Sequence, residues 1–176
     1  NDDQLKVAAG MAKVCNKAGC DFVLLLGDNF YPNGVKSIID KQFYTKFEMV
    51  YNKIMKPFFA VLGNHDVKQN GFAQVIYSLR SNFWKMPNYE YSFKTAEAVF
   101  YGINTNCPLA YERLRNKLNR DDSAIIKNAT KSPWKIVFGH HSVYSNGTHG
   151  DADIFTRYYW NWLLEDRVDL YLAGHN

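Results

Sequence analysis

The sequence predicts a layered α/β domain, and three observations carry that expectation. Short, largely apolar runs recur along the chain: FVLLL at Phe22–Leu26, FFAVL at Phe58–Leu62, WKIVF at Trp134–Phe138 and DLYLA at Asp169–Ala173. Strands this short and continuous are the kind buried on both faces, unlike the alternating strands of a one-sided sheet. Between them lie segments whose apolar residues recur at helical spacing, and strands alternating with helices build layers. Finally, 176 residues of which 47% are hydrophobic fill one core but not two, so residues 1–176 read as a single domain.

Element by element, Val7, Met11, Val14 and Ala18 recur at helical spacing from Leu5 to Ala18, and Gly19 stops the run. The strand Phe22–Leu26 follows. A second helix is expected over Ile38–Lys53, where Phe43, Phe47 and Val50 share a side, and Pro57 separates it from the strand Phe58–Leu62. A helix over Phe72–Leu79 leads to YEYSF (Tyr89–Phe93) and AVFYGI (Ala98–Ile103), whose alternation predicts an antiparallel hairpin. A polar helix over Leu109–Ala129 precedes Pro133 and the strand Trp134–Phe138. The last helix, Ile154–Leu164, leads to the strand Asp169–Ala173. No internal repeat or low-complexity linker interrupts the chain.

Charge and cysteine content exclude more than they assign. The net charge of +4 is mild. Arg113, Arg115, Lys117, Arg120, Lys127 and Lys131 are spread through one polar helix, which reads as a solvated face; no nucleic-acid partner is expected. No apolar run approaches the ~20 residues needed to cross a bilayer, and no signal peptide is recognisable, so no membrane partner is expected either. Cys15, Cys20 and Cys107 form neither a zinc pattern nor an even disulfide set; Cys15 and Cys20 are expected to pack around a helix-to-strand junction. The sequons Asn128-Ala129-Thr130 and Asn146-Gly147-Thr148 permit glycosylation without fixing a compartment.

The chemistry lies where the strands stop. LLLGDNFY, AVLGNHD, IVFGHH and YLAGHN each run a buried strand into glycine, followed at once by Asp28, Asn64, His140 or His175. Glycine permits a sharp turn and close approach, and functional groups of α/β sheets gather beyond the carboxyl ends of the strands. Strands ending together would aim a carboxylate, an amide and two imidazoles at one point, a donor set suited to metal ions. Taken singly, each ending has a plainer explanation. Gly-Asp is a common turn, GNHD could cap a helix, and a lone histidine is more often a satisfied structural residue. Their joint occurrence favours metal binding, because all five histidines (His65, His140, His141, His149, His175) fall in or near these endings.

With these residues the chain resembles the calcineurin-like metallophosphoesterases through Gly27-Asp28, Gly63-Asn64-His65-Asp66, Gly139-His140 and Gly174-His175. The tyrosine three residues after Asp28, together with PFFAVLGNHD and WKIVFGHHSVYSNGTHG, is similar to the small, tartrate-resistant purple acid phosphatases. The resemblance implies an αββα sandwich and hydrolysis of phosphate monoesters by metal-bound hydroxide at a binuclear centre of Fe(III) and a divalent iron, zinc or manganese. It implies Asp28 as the shared ligand, Tyr31 as a ferric phenolate, and Asn64, His140 and His175 on the divalent ion. His65 and His149 resemble the histidines that grip phosphate and protonate the leaving group. His141 is read as structural, and Asp66 as orienting its surroundings. Small phosphate esters and phosphoproteins are the implied substrates, with a monomer, secreted or lysosomal, as the implied state.

The match also departs from its pattern. The family's aspartate on an earlier strand has no counterpart among Asp2 and Asp3, and its histidine two positions beyond His175 would fall just past Asn176. The chain is therefore expected to be an internal piece, truncated at both termini, whose isolated ferric site keeps only Tyr31 and Asp28 and whose activity alone is impaired. Ser142 stands where relatives carry proline. The resemblance would match Cys107 to one half of a loop disulfide, with Ile154 where its partner would be. Two rival readings stay open: another two-metal phosphoesterase, acting on diesters or phosphoproteins without a phenolate, and a non-catalytic domain retaining the fold.

Overall fold

The computed structural model describes residues 2–107, 109–128 and 133–175. Ala129, Thr130, Lys131 and Asn176, which entered the sequence reading, lie outside the described residues. The elements run α1 (Asp2–Ala18), β1 (Val23–Leu25), a π-helical stretch (Phe43–Glu48) continuing into the short α2 (Met49–Tyr51), β2 (Phe58–Ala60), a 3-10 turn (Asp66–Lys68) and α3 (Gly71–Tyr77). Then come β3 (Trp84–Lys85), β4 (Tyr91–Lys94), β5 (Ala98–Gly102), α4 (Ala110–Asn128), β6 (Trp134–Phe138), α5 (Ile154–Arg167) and β7 (Leu170–Leu172). No described helix is long and apolar enough to cross a membrane.

Two sheets form. One is parallel, in the order β1-β2-β3; the other, β4-β5-β6-β7, is parallel except for the β4–β5 hairpin. Side chains along each strand alternate between two different cores. In β1, Val23 and Leu25 face a helical layer, while Leu24 joins the core between the sheets. In β2 and its extension, Phe58, Ala60 and Leu62 face outward to the helices and Phe59 and Val61 inward. In β5, Val99 and Tyr101 pack with Leu114, Leu118 and Trp160 of α4 and α5, whereas Ala98 and Phe100 turn toward the first sheet. Both faces of these strands are apolar because each has a layer to cover, which is why they read as unbroken runs. The result is a four-layered αββα sandwich.

Aromatic rings fill the space between the sheets. Phe59 of β2 stacks on Phe93 of β4 with centroids 3.7 Å apart, Phe93 stacks on Phe100 at 4.9 Å, and Phe22 meets Phe93 and Phe100 edge-on at 5.2 and 5.1 Å. The edge-on pairs and the 4.9 Å stack have the geometry that adds to the burial each ring already contributes, while the 3.7 Å pair packs nearly face to face. They lock the sheets together and fix the relative position of their carboxyl edges.

Four sequence expectations need correction. Cys15 and Cys20 do lie at a helix-to-strand junction, but they are joined in a disulfide, and Cys107 is the free thiol. The Ile38–Lys53 helix begins only at Lys41 and is π-helical over Phe43–Glu48; Phe43 and Phe47 are buried as expected. Helix α1 does not bury Val7 and Val14, which are 59% and 63% exposed. It packs through Ala8 and Ala12, with Met11 and Cys15 partly covered, since small side chains let the helix lie close. Strand β3 was not anticipated: two residues are too short for a periodicity to show.

Candidate metal centre

The carboxyl ends of β1 and β2 in one sheet and of β6 and β7 in the other meet at a single edge of the sandwich. Between them, His140 Nε2 lies 3.0 Å from Asn64 Oδ1, 3.0 Å from His175 Nδ1 and 3.4 Å from Asp28 Oδ1. The Asp28 carboxylate also accepts the Tyr31 hydroxyl at Oδ2 (2.7 Å) and the His65 backbone N–H at Oδ1 (2.9 Å). His140 is buried, and its Nδ1–H donates to the Leu26 carbonyl at 2.8 Å, so in the neutral ring Nε2 presents a lone pair to the cluster. A lone pair facing a carboxylate and an amide oxygen is repulsive unless a proton or a cation sits among them. Donors about 2.0–2.2 Å from one ion stand about 3.0–3.4 Å from each other, in the range seen here. The donor set therefore fits a divalent cation.

Electrostatics favour the same state. Burial pushes the Asp28 carboxyl up, but hydrogen bonds from the His65 N–H and the Tyr31 hydroxyl, with the neighbouring imidazoles, outweigh it and hold Asp28 below the usual carboxylate range. Tyr31 alone runs the other way: the bond to Asp28 pushes its phenol up to about 12, so a cation would have to displace that proton for the phenolate to bind. Burial, followed by the charges of His140 and His149, lowers His175; burial and the charges of His140 and His175 lower His141 to about 4. Neutral imidazoles and an ionised carboxylate are the forms that bind metals.

Close packing at this edge requires the glycines. Gly27 adopts φ +87°, and a Cβ there would stand 2.6 Å from His140 Nδ1; a Cβ on Gly63 would collide with the Asp28 backbone nitrogen and carboxylate. Asp28 itself adopts the left-handed conformation, φ 53°, which aspartate tolerates better than most residues.

Comparison with known proteins accounts for this arrangement. Residues 2–176 match the calcineurin-like phosphoesterase family. The chain belongs to that family. It is 32% identical to purple acid phosphatase 3 of Arabidopsis thaliana over 99% of its own length and 53% of that protein. It is 34% identical to tartrate-resistant acid phosphatase type 5 of Sus scrofa over 96% of this chain and 56% of that one. Among solved structures it resembles GAP50, the anchor in the inner membrane complex of Plasmodium, with a TM-score of 0.79 and 29% identity, covering all of this chain and 62% of that one. The chain thus spans between about half and three fifths of these relatives.

As a calcineurin-like phosphoesterase, the chain brings together Asp28, Asn64, His140 and His175, with Tyr31 attached through Asp28. His65 leans over the Tyr31 ring with centroids 4.3 Å apart, and its Nδ1–H donates to the Pro32 carbonyl at 2.5 Å. His149, on an exposed loop, stacks on His175 with centroids 4.1 Å apart. Asp66 is fully buried and ties the two ligand loops together. Its Oδ1 accepts from Phe30 N and Gln74 Nε2; its Oδ2 accepts from Asn29 N, Asn29 Nδ2 and Gly63 N. Burial pushes its carboxyl above the usual range, and these bonds pull against it.

Other supports carry little sequence signal. Lys46, in the π-helical stretch, donates to the Tyr31 carbonyl at 2.6 Å, and Gln42, just before it, donates to Gly34 O at 2.9 Å, fastening the loop after Asp28. Asn106 donates to Leu62 O at 3.2 Å. His141, expected to be structural, stands beside His140 and His175, held by Thr105.

Proposed function

We propose that the chain carries most of the metal-ligating edge of an acid phosphatase, which hydrolyses phosphate monoesters at a centre of ferric iron and a divalent ion. The observation that carries this reading is the convergence of Asp28, Asn64 and His175 on His140 Nε2, with a tyrosine hydroxyl 2.7 Å from the same aspartate. Asn64, His140 and His175 would hold the divalent ion, Tyr31 the ferric ion, and Asp28 both. When bound, a cation pair sharing one carboxylate neutralises phosphoryl charge and lets water act as a nucleophile under acidic conditions.

The remaining work belongs to the chain's own side chains. His65 has committed its Nδ1–H to Pro32 O, so in the cationic ring Nε2–H is the group left to grip a phosphate oxygen or donate a proton. His149 is exposed and its ring is steadied against His175. As the P–O ester bond breaks, the leaving alkoxide would take its proton from one of these histidines in its imidazolium form, which becomes a neutral imidazole, a transfer typically worth about 10²–10⁴-fold in rate. Small phosphate esters and phosphoproteins are the proposed substrates of a monomeric, secreted or lysosomal enzyme. The Cys15–Cys20 disulfide supports an oxidising compartment.

A second reading, a non-catalytic anchoring domain, draws support from the fold shared with the Plasmodium anchor. The experiment is to supply the full-length protein with iron and zinc, then follow hydrolysis of a chromogenic phosphate monoester and the visible spectrum. Hydrolysis with a phenolate-to-iron absorption band that Tyr31→Phe abolishes is the expected result. Hydrolysis without that band favours a phosphoesterase using two divalent ions, and metal uptake without hydrolysis favours the anchor.

A further inference from the structure

The family pattern leaves His141 without a role, yet the fold holds it at the metal centre. The His140, His141 and His175 rings lie mutually close, with centroids 5.0, 4.8 and 4.8 Å apart, and one ligand nitrogen from each lies within 4.8 Å of the others. His141 is fixed from several sides. It forms an isolated parallel bridge with His175, its N–H donates to Thr105 Oγ1 at 3.1 Å, and the Tyr171 hydroxyl donates to its carbonyl at 2.6 Å. Its ring Nδ1 is 2.7 Å from the same Thr105 oxygen. That oxygen has two lone pairs and can accept both the backbone N–H and the Nδ1–H. In that arrangement Nε2 carries the free lone pair. Ligating histidines characteristically donate their other ring N–H to a fixed acceptor, and Thr105 is such an acceptor.

We propose that His141 supplies a third imidazole to the divalent ion held by His140 and His175, and that this inclines the site toward zinc over manganese. Donors of one ion stand about 3.0–3.4 Å apart when adjacent and about 4.2 Å when opposite, so a ring movement of about 0.5–1.5 Å pivoting on Thr105 would close the shell. Nitrogen donors favour zinc, whereas manganese is better served by carboxylate, amide and water oxygens. Asn64 and Asp28 alone would suit either metal. Adding His141 makes nitrogen the majority.

This inference rests on the two-metal reading, so the test separates the two. The metal-stripped full-length protein is titrated with zinc and, separately, manganese against a chromophoric chelator, alongside His141→Phe, His141→Asn and His140→Phe. Zinc affinity of both His141 variants is expected to fall about 10–100-fold while manganese affinity changes by less than about threefold. Unchanged zinc affinity in both His141 variants, with His140→Phe impaired, overturns the inference and spares the metal centre. Equal loss for zinc and manganese also overturns it, because His141 would then only shape the fold. Unchanged binding in His140→Phe as well overturns both. Should the His141 variants fail to fold, Thr105→Val decides, with a smaller but zinc-selective loss expected and no loss contradicting the assignment.

Discussion

Gly63→Ala is expected to destabilise the fold by about 3 kcal/mol or more and to abolish tight binding of the divalent ion. The added methyl would overlap the backbone nitrogen of Asp28, which cannot rotate away as a flexible side chain could. Relief requires the end of β1 to separate from the end of β2, and that movement takes Asp28 away from Asn64 and His140. It also stretches the 2.8 Å bond from Gly63 N to Asp66 Oδ2. A denaturant midpoint and a metal titration on one sample read both effects. Gly10→Ala provides the contrast: nothing lies within 4 Å of the added carbon, and this helical position should gain about 0.5–1 kcal/mol. If Gly63→Ala behaves like Gly10→Ala, the close contact between the two ligand loops is wrong.

The second large effect is expected at Asp66. Asp66→Ala removes the acceptor for Asn29 N, Phe30 N, Gly63 N and Gln74 Nε2 in one step. A donor left buried without a partner costs about 1–3 kcal/mol, so a total loss of about 4 kcal/mol or more follows even if water reaches some of them. Asp66→Asn should cost about 2 kcal/mol, because its amide nitrogen would turn toward N–H groups on one side and leave an acceptor on the other. Both losses should appear in equilibrium unfolding of the metal-free protein, which separates the scaffold from the ligands it positions. Equal stability of Asp66→Ala and the parent would contradict the account of this residue as the fastening between the loops.

The sequence displayed the site more fully than the scaffold that holds it. Gly27-Asp28, Gly63-Asn64, Gly139-His140 and Gly174-His175 were legible because a buried strand, a glycine and a donor are adjacent along the chain. Their convergence was expected from that shared pattern, but the strand pairing that distributes them over two sheets was not legible, since pairing and sheet packing depend on contacts distant in sequence. For the same reason Asp66 could be expected to orient its surroundings, but its partner Gln74 could not be named. The choice of Ala8 and Ala12 over Val7 and Val14 as the packed stripe of α1 illustrates a different limit. Periodicity ranks hydrophobicity, whereas close approach to a sheet rewards small side chains. The surroundings of His141 were not legible because they depend on Thr105 and Tyr171, which lie 36 and 30 residues away.

Asp28 shared between two ions is the central claim, and anomalous diffraction from crystals of the metal-loaded protein tests it most directly. The account predicts a divalent ion bonded to Asp28, Asn64, His140 and His175, with iron about 3.5–4 Å away touching Asp28 and Tyr31. A divalent ion found without Asp28 or His140 among its ligands would contradict it.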